Sequence, residues 1–331
     1  MKRKVQTMVA VYAASHFLVD FACAFLMFRS IAGAQDAYVY VLLYNFFAFA
    51  VQMPLGLLAD RCNRNALFAA CGCVLVAIAY GCAPALACVV LGLGNALFHI
   101  GGGVDILNHS ESKSAALGIF VSPGAFGVYF GTILGSGSGA FTAYILAALL
   151  LFAALIFAMP RTSNNATVSL RGGRGVLFTA VCLFLVVCLR SYAGMTMNFA
   201  WKARWGIPFI FAVVFGKTLG GFAADRFGMM KTSVLSLGVA ALLFFFSAMP
   251  LPGVIAVLLF NMTMPVTLWA LAKRMPGAKG FSFGLLTFAL FLGFLPVYLG
   301  AGHPPNVVWV FSAVAVLSLV LLTVGLRKVK P

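Results

Sequence analysis

GLLADRCNRN, Gly56 to Asn65, and GFAADRFGMMK, Gly221 to Lys231, are one short signature written twice in the same chain. Each follows a long apolar stretch. In each, a glycine stands four residues before an Asp-Arg pair, at the cytoplasmic end of what reads as a membrane helix. Asp60-Arg61 and Asp225-Arg226 therefore mark corresponding points in two halves of a duplicated chain.

Composition sets the solvent around those halves. Hydrophobic residues make up 63% of the sequence, charged residues 8%, and mean hydropathy is +1.07. Soluble domains carry about 25% charged residues. A water-facing globule is excluded, and the chain reads as an all-α integral membrane protein. The apolar residues come in long runs rather than in alternation, which argues against a membrane barrel.

Twelve spans follow from those runs: roughly 7–29, 37–58, 66–82, 84–107, 114–136, 139–159, 175–199, 206–224, 230–249, 252–272, 278–299 and 304–326. At about 20 residues each they use most of the chain, so the loops are very short and the whole is compact. The longest connection, RTSNNATVSLRGGRG from Arg161 to Gly175, is polar and falls at the midpoint. The expected organisation is a six-helix bundle over 1–160, a cytoplasmic linker over 161–174 and a pseudo-symmetric six-helix bundle over 175–331.

The formal charge of +16 invites a nucleic-acid partner, and its distribution rejects one. Lys2, Arg3 and Lys4 precede the first span. Arg61, Arg64, Lys113, Arg161, Arg171, Arg174, Arg226, Lys231, Lys273, Arg274 and Lys279 fall at every second loop, and Arg327, Lys328 and Lys330 follow the last span. The positive-inside rule places that side and both termini in the cytoplasm of a plasma or inner membrane. The first apolar run continues past His16 and Asp20 to Phe28, so it reads as a retained helix rather than a secretory signal. The eight cysteines lie mostly inside spans, and Cys71-x-Cys73 points to opposite sides of a helix. No metal site and no cofactor are expected.

The repeat extends beyond the two loops. Asn95 in span 4 is matched by Asn261 in span 10, and Gly118 and Gly127 in span 5 by Gly284 and Gly293 in span 11. On these residues the chain resembles the major facilitator superfamily over essentially its full length. The family signature is G-x-x-x-D-R-x-G-R-[RK]. The first copy keeps Gly56, Asp60, Arg61 and Arg64 but has Asn63 and Asn65 at the last glycine and basic positions. The second keeps Gly221, Asp225, Arg226 and Gly228 but has Met229 and Met230 for the basic pair. The resemblance implies that these loop residues form a cytoplasmic gate. The family's arginine motif in span 4 is absent. GNALFHIGGG there, with SPGAFGVYFGTILG in span 5, is similar to the fosmidomycin-resistance branch of drug exporters.

In the family fold, spans 1, 4, 7 and 10 line a central cavity. An ionisable group in lipid is costly and faces a cavity or a partner. Span 1 offers His16 and Asp20, four apart on one helical face. Span 4 offers Asn95 and His99, span 7 Arg190, span 10 Asn261 and Thr263, and span 8 Lys217. At 1.5 Å per residue, Asp20 and Arg190 lie about 20–22 Å from the inner ends of their spans. Asn95 lies about 18 Å in, His16 and His99 about 12–14 Å, and Lys217 about 10 Å. Lys202 and Arg204 fall in an outer loop, where they are expected to attract anions or headgroups.

The expectation is a secondary active transporter, not an enzyme, for a small organic solute of anionic character. Arg190, Asn95, His99, Asn261 and Lys217 are the substrate-binding candidates, with Asp20 and His16 coupling transport to protons. No Walker motif points to ATP. The alternatives are proton-antiport efflux of amphiphiles and a non-transporting sensor or assembly protein with a transporter fold. The expected partners are the solute, protons and lipid, with the chain a monomer.

Overall fold

Apolar runs of this length leave each backbone N–H and C=O only its own helix as partner in hydrocarbon, and helix is what the chain forms. The computed structural model describes residues 3–109, 113–137, 139–159, 168, 173–300 and 308–327. The first half contains α1 (Arg3–Leu26), α2 (Ala37–Asn45), α3 (Gln52–Cys62), α4 (Asn65–Ala79), α5 (Pro84–His109), α6 (Ala115–Val121), α7 (Pro123–Gly135) and α8 (Thr142–Phe157). The second contains α9 (Arg174–Thr196), α10 (Gly206–Phe227), α11 (Met229–Phe244), α12 (Pro250–Asn261), α13 (Thr263–Arg274), α14 (Lys279–Tyr298) and α15 (Val308–Leu326).

Among the described residues, nine helical stretches are long and apolar enough to cross a membrane, and the protein is a multi-pass membrane protein. Three shorter apolar helices, α4, α8 and α11, fall where the sequence places further spans. The expected linker at 161–174 lies almost wholly outside the described residues.

Three of the expected spans are interrupted. A π-helical turn, Phe46–Ala50, joins α2 to α3; α6 gives way to α7 at Ser122; α12 gives way to α13 at Met262. Each interruption lies just before a proline: Pro54, Pro123 and Pro265. Proline has no N–H for the residue four back, and its ring crowds that carbonyl, so the helix re-forms around it.

The helices group into two compact units. Unit 1 is Met1–Glu111, Phe120–Val168 and Gly277–Gly284; unit 2 is Ser112–Ile119, Ser169–Pro276 and Leu285–Pro331. Each unit thus includes one short segment from the other half of the sequence.

Lipid tails are as apolar as leucine, so helices inside each unit are held by close packing and hydrogen bonds. In unit 1, α7 lies on α1 through Gly127, Gly131 and Gly135, where an added Cβ would collide with the carbonyl oxygens of Phe17, Phe21 and Phe25. In unit 2, α15 packs on α9 and α11. Thr179 Oγ1 donates to Gly325 O at 3.2 Å, and Ser312 Oγ to Ala241 O at 2.8 Å.

The loop between α9 and α10 is anchored from within. The Trp201 ring is buried and stacks on Phe199 at 4.9 Å, and its indole N–H donates to Ser247 O at 2.8 Å.

Candidate functional site

The repeated signature does the same thing in each unit. In unit 1, Gly56 lets α3 touch the start of α14: a Cβ at 56 would collide with Gly280 O, and one at 280 with Gly56 O. One turn on, the Asp60 carboxylate takes the first free N–H groups of α14, Gly280 N at 2.7 Å and Phe281 N at 2.8 Å. In unit 2, a Cβ at Gly221 would press on Ser114 O at 2.8 Å. One turn on, Asp225 accepts from Ser114 N at 2.6 Å, Ser114 Oγ at 2.9 Å and Ala115 N at 3.0 Å, at the start of α6. A carboxylate at a helix N-terminus satisfies orphan donors and meets the positive end of the dipole. The glycine makes the approach and the aspartate four residues later bonds the helix it reaches. Asp60 is half-buried, whereas Asp225, Arg61, Arg64 and Arg226 are exposed. Lys279 adds Nζ bonds to Leu107 O at 3.2 Å and Asn108 Oδ1 at 3.0 Å.

The interior of unit 1 holds a polar cluster on α1 and α5. His16 Nε2 lies 3.2 Å from Asp20 Oδ2 and 2.8 Å from His99 Nε2. His99 Nε2 lies 3.8 Å from Asp20 Oδ1, and Asn95 Nδ2 donates to that oxygen at 2.9 Å. The i,i+4 spacings on both helices, His16 to Asp20 and Asn95 to His99, put the four side chains on facing stripes. Behind them, His16 Nδ1–H donates to Phe120 O at 2.6 Å and His99 Nδ1–H to Asn95 O at 2.8 Å. The rings of Phe98 and Phe120 flank His16 at 6.0 and 4.9 Å. Four of the sequence candidates therefore meet.

The interior of unit 2 is different. Arg190 on α9 is buried, and its Nη2 donates to Thr263 Oγ1 at 3.0 Å. Asp225, bonded to Ser114 and Ala115, is the one acid that unit 2 contains. Asn261 bonds back along its own helix, Nδ2 to Val257 O at 2.8 Å. Lys217 is half-buried on α10.

Two features escaped the sequence reading. Asp105, a buried acid on α5, accepts from the Tyr12 hydroxyl at 2.7 Å. An acid inside an apolar span is itself the signal, and it could have been read by the same rule that found Asp20. Lys202 is also not a free cation in an outer loop. Its Nζ donates to Met197 O at 2.8 Å, capping the end of α9, and lies 4.6 Å from the centre of the Phe209 ring. Burial pushes its ammonium below the ordinary lysine value.

No family model and no curated protein matches the sequence. Solved structures do. A major facilitator superfamily transporter, the E. coli fucose:proton symporter FucP, in the outward conformation, is similar at 14% identity and a TM-score of 0.71 over 99% of this chain and 100% of its own. The human organic anion transporter MFSD10 is similar at 13% identity and a TM-score of 0.70, over 97% of this chain and 100% of its own. The proton:xylose symporter XylE is similar at 13% identity and a TM-score of 0.64, over 96% and 94%.

The chain has the major facilitator fold.

The major facilitator signature carries a glycine where this chain has Asn63, and the structure accounts for the exchange. Asn63 ends α3 in the left-handed region, φ 52° and ψ 38°. Asparagine is among the few residues with a Cβ that tolerate it. The corresponding Gly228 has φ 87°.

Proposed function

We propose that the chain is a secondary transporter, with twelve spans in two six-helix bundles (1–160 and 175–331) joined by a cytoplasmic linker at 161–174. It moves a small anionic organic solute by alternating access, coupled to protons. Arg190 carries the reading of the solute. A guanidinium has five N–H donors in a fixed fork that fits carboxylates and phosphonates. Here it is buried, and the partner it holds is a neutral hydroxyl. Removing such a charge from water is costly unless an anion repays it, and the solute is that anion. Asn95, His99, Asn261 and Lys217 are the further contacts assigned to it.

Asp20 and His16 are assigned to proton coupling; proton symporters share the fold. The Asp60 and Asp225 caps, with Arg61, Arg64 and Arg226, are assigned to a cytoplasmic gate. Basic residues place both termini inside.

Proteoliposomes loaded by a pH gradient test this. Labelled small carboxylates and phosphonates should accumulate against their own gradient in the wild type. Arg190→Ala should lose accumulation and exchange together. Asp20→Asn should keep exchange and lose gradient-driven accumulation. Transport of neutral or cationic amphiphiles alone, indifferent to Arg190, would favour multidrug efflux and defeat the anionic reading.

A further inference from the structure

We infer that His16 Nε2, His99 Nε2 and an Asp20 carboxylate oxygen form a binding site for one divalent transition-metal ion of the zinc class. No metal-ligand spacing stands out in the sequence, because the three residues come from two spans. Their ligand atoms nevertheless lie within 4.8 Å of one another.

The hydrogen bonds behind the rings fix what the rings present in front. The carbonyl oxygens of Phe120 and Asn95 can only accept, so each Nδ1 carries its proton. Both rings therefore turn Nε2 toward Asp20 and toward each other, the atom a neutral imidazole in this tautomer uses to bind a metal. Those atoms are 2.8 Å apart, with carboxylate oxygens 3.2 Å from one and 3.8 Å from the other. Donor atoms this close need a proton or a metal cation among them, and a metal can serve all three at once.

The spacing suits a metal. Ligands at about 2.0–2.1 Å in a tetrahedral site stand roughly 3.3 Å apart; the two Nε2 atoms are 2.8 Å apart, with Asp20 Oδ2 3.2 Å from His16 and Asp20 Oδ1 3.8 Å from His99, all near that value. Two imidazoles and one carboxylate are a common donor set for zinc and its neighbours, and leave a position open for water. The Nδ1–H to carbonyl bonds are the supports that orient metal-binding histidines.

Gly124 lets α7 pack directly on the ligand atoms: a Cβ there would collide with both His16 Nε2 and Asp20 Oδ2. A further observation points to an occupant. Asn95, whose amide holds Asp20, is 2% exposed, and its Oδ1 is buried with no hydrogen-bond partner. It is an acceptor in reserve for a metal-bound water. The Asp20 and His99 side chains keep 14% and 12% of their surface accessible, which leaves a way in. Metal and protons would compete for the Asp20 and His16 atoms assigned above to coupling, so retention is measured on the stripped chain at one fixed pH, apart from transport.

The test uses the full chain in detergent, purified without a histidine tag and stripped with a chelator. It is then equilibrated with zinc chloride, desalted and assayed for metal by mass spectrometry. The wild type should retain about one zinc per chain. His16→Gln, His99→Gln and Gly124→Ala should each lose it, while His109→Gln, on the same helix as His99, should keep it. Size-exclusion profiles establish that each variant is folded. If the histidine variants do not fold, cobalt(II) substitution of the wild type decides: weak visible bands of nitrogen and oxygen ligation are expected. Three results would each overturn the assignment: no metal retained by the wild type, a folded His16→Gln still holding one equivalent, or an intense near-ultraviolet thiolate band pointing to a cysteine such as Cys23.

Discussion

The interiors of the two units obey opposite rules. In unit 1 the polar side chains gather and hold one another: Asp20 is bonded by His16 and Asn95, the histidines by carbonyls, and Asp105 by Tyr12. In unit 2 a single guanidinium is held by one threonine. At the ends of α3 and α10 the comparison reverses, since Asp60 and Asp225 cap helices in the same way. The two Gly-to-Asp caps are alike, while the two interiors differ.

That contrast can be broken most directly at Arg190. Arg190→Ala should lower transport of an anionic solute by roughly 30-fold or more, the scale of losing one member of a buried charge pair. Arg190→Lys should restore only part, since an ammonium cannot form the planar fork. Initial rates in proteoliposomes read both. A wild-type rate in Arg190→Ala would mean that unit 2 is as self-contained as unit 1.

The counterpart in unit 1 is Tyr12→Phe. It removes the hydroxyl from a buried carboxylate and should cost about 1–3 kcal/mol, seen as a lower melting temperature in detergent. Transport per folded molecule should stay close to wild type. A selective loss of transport at unchanged stability would place Asp105 in the transport machinery and blur the comparison.

Much of this was legible in the sequence, for reasons that differ by residue. The Gly-x-x-x-Asp-Arg copies announced themselves by repetition. His16 and Asp20 shared a face by spacing, and counting residues put His16 and His99 in one layer. What could not be read was which backbone would meet each side chain. The carbonyl of Phe120 behind His16, Gly124 in front of it and Tyr12 beside Asp105 depend on how α5 and α7 are rotated against α1. That rotation is set by packing between helices, such as the seating of Gly127, Gly131 and Gly135 on α1, and no single helix encodes it. The three proline interruptions were visible as residues but not as breaks, because a proline in a long apolar run can also be carried without one, as Pro296 is within α14.

The two caps offer a finer test. Asp60→Asn should weaken its cap by about 1–2 kcal/mol and Asp225→Asn by less, since Asp60 is the less exposed of the two. Transport rates should fall in that order, each several-fold at most. Equal effects would make the caps energetically as well as geometrically alike.

The smallest effect is expected at Asn63. Asn63→Gly should change stability by less than about 0.5 kcal/mol, whereas Asn63→Ala should cost about 1 kcal/mol, the penalty of a Cβ in the left-handed region. Thermal melting of the two variants side by side measures it.

Trp201 gives the loop between α9 and α10 an optical gauge. Its indole is shielded from water, stacked on Phe199 and bonded to Ser247 O, so it should emit to the blue of a solvated tryptophan. Subtracting the spectrum of Trp201→Phe isolates that signal from the other three tryptophans of the sequence. A red shift on adding solute would time the loosening of that loop during turnover, without an attached dye.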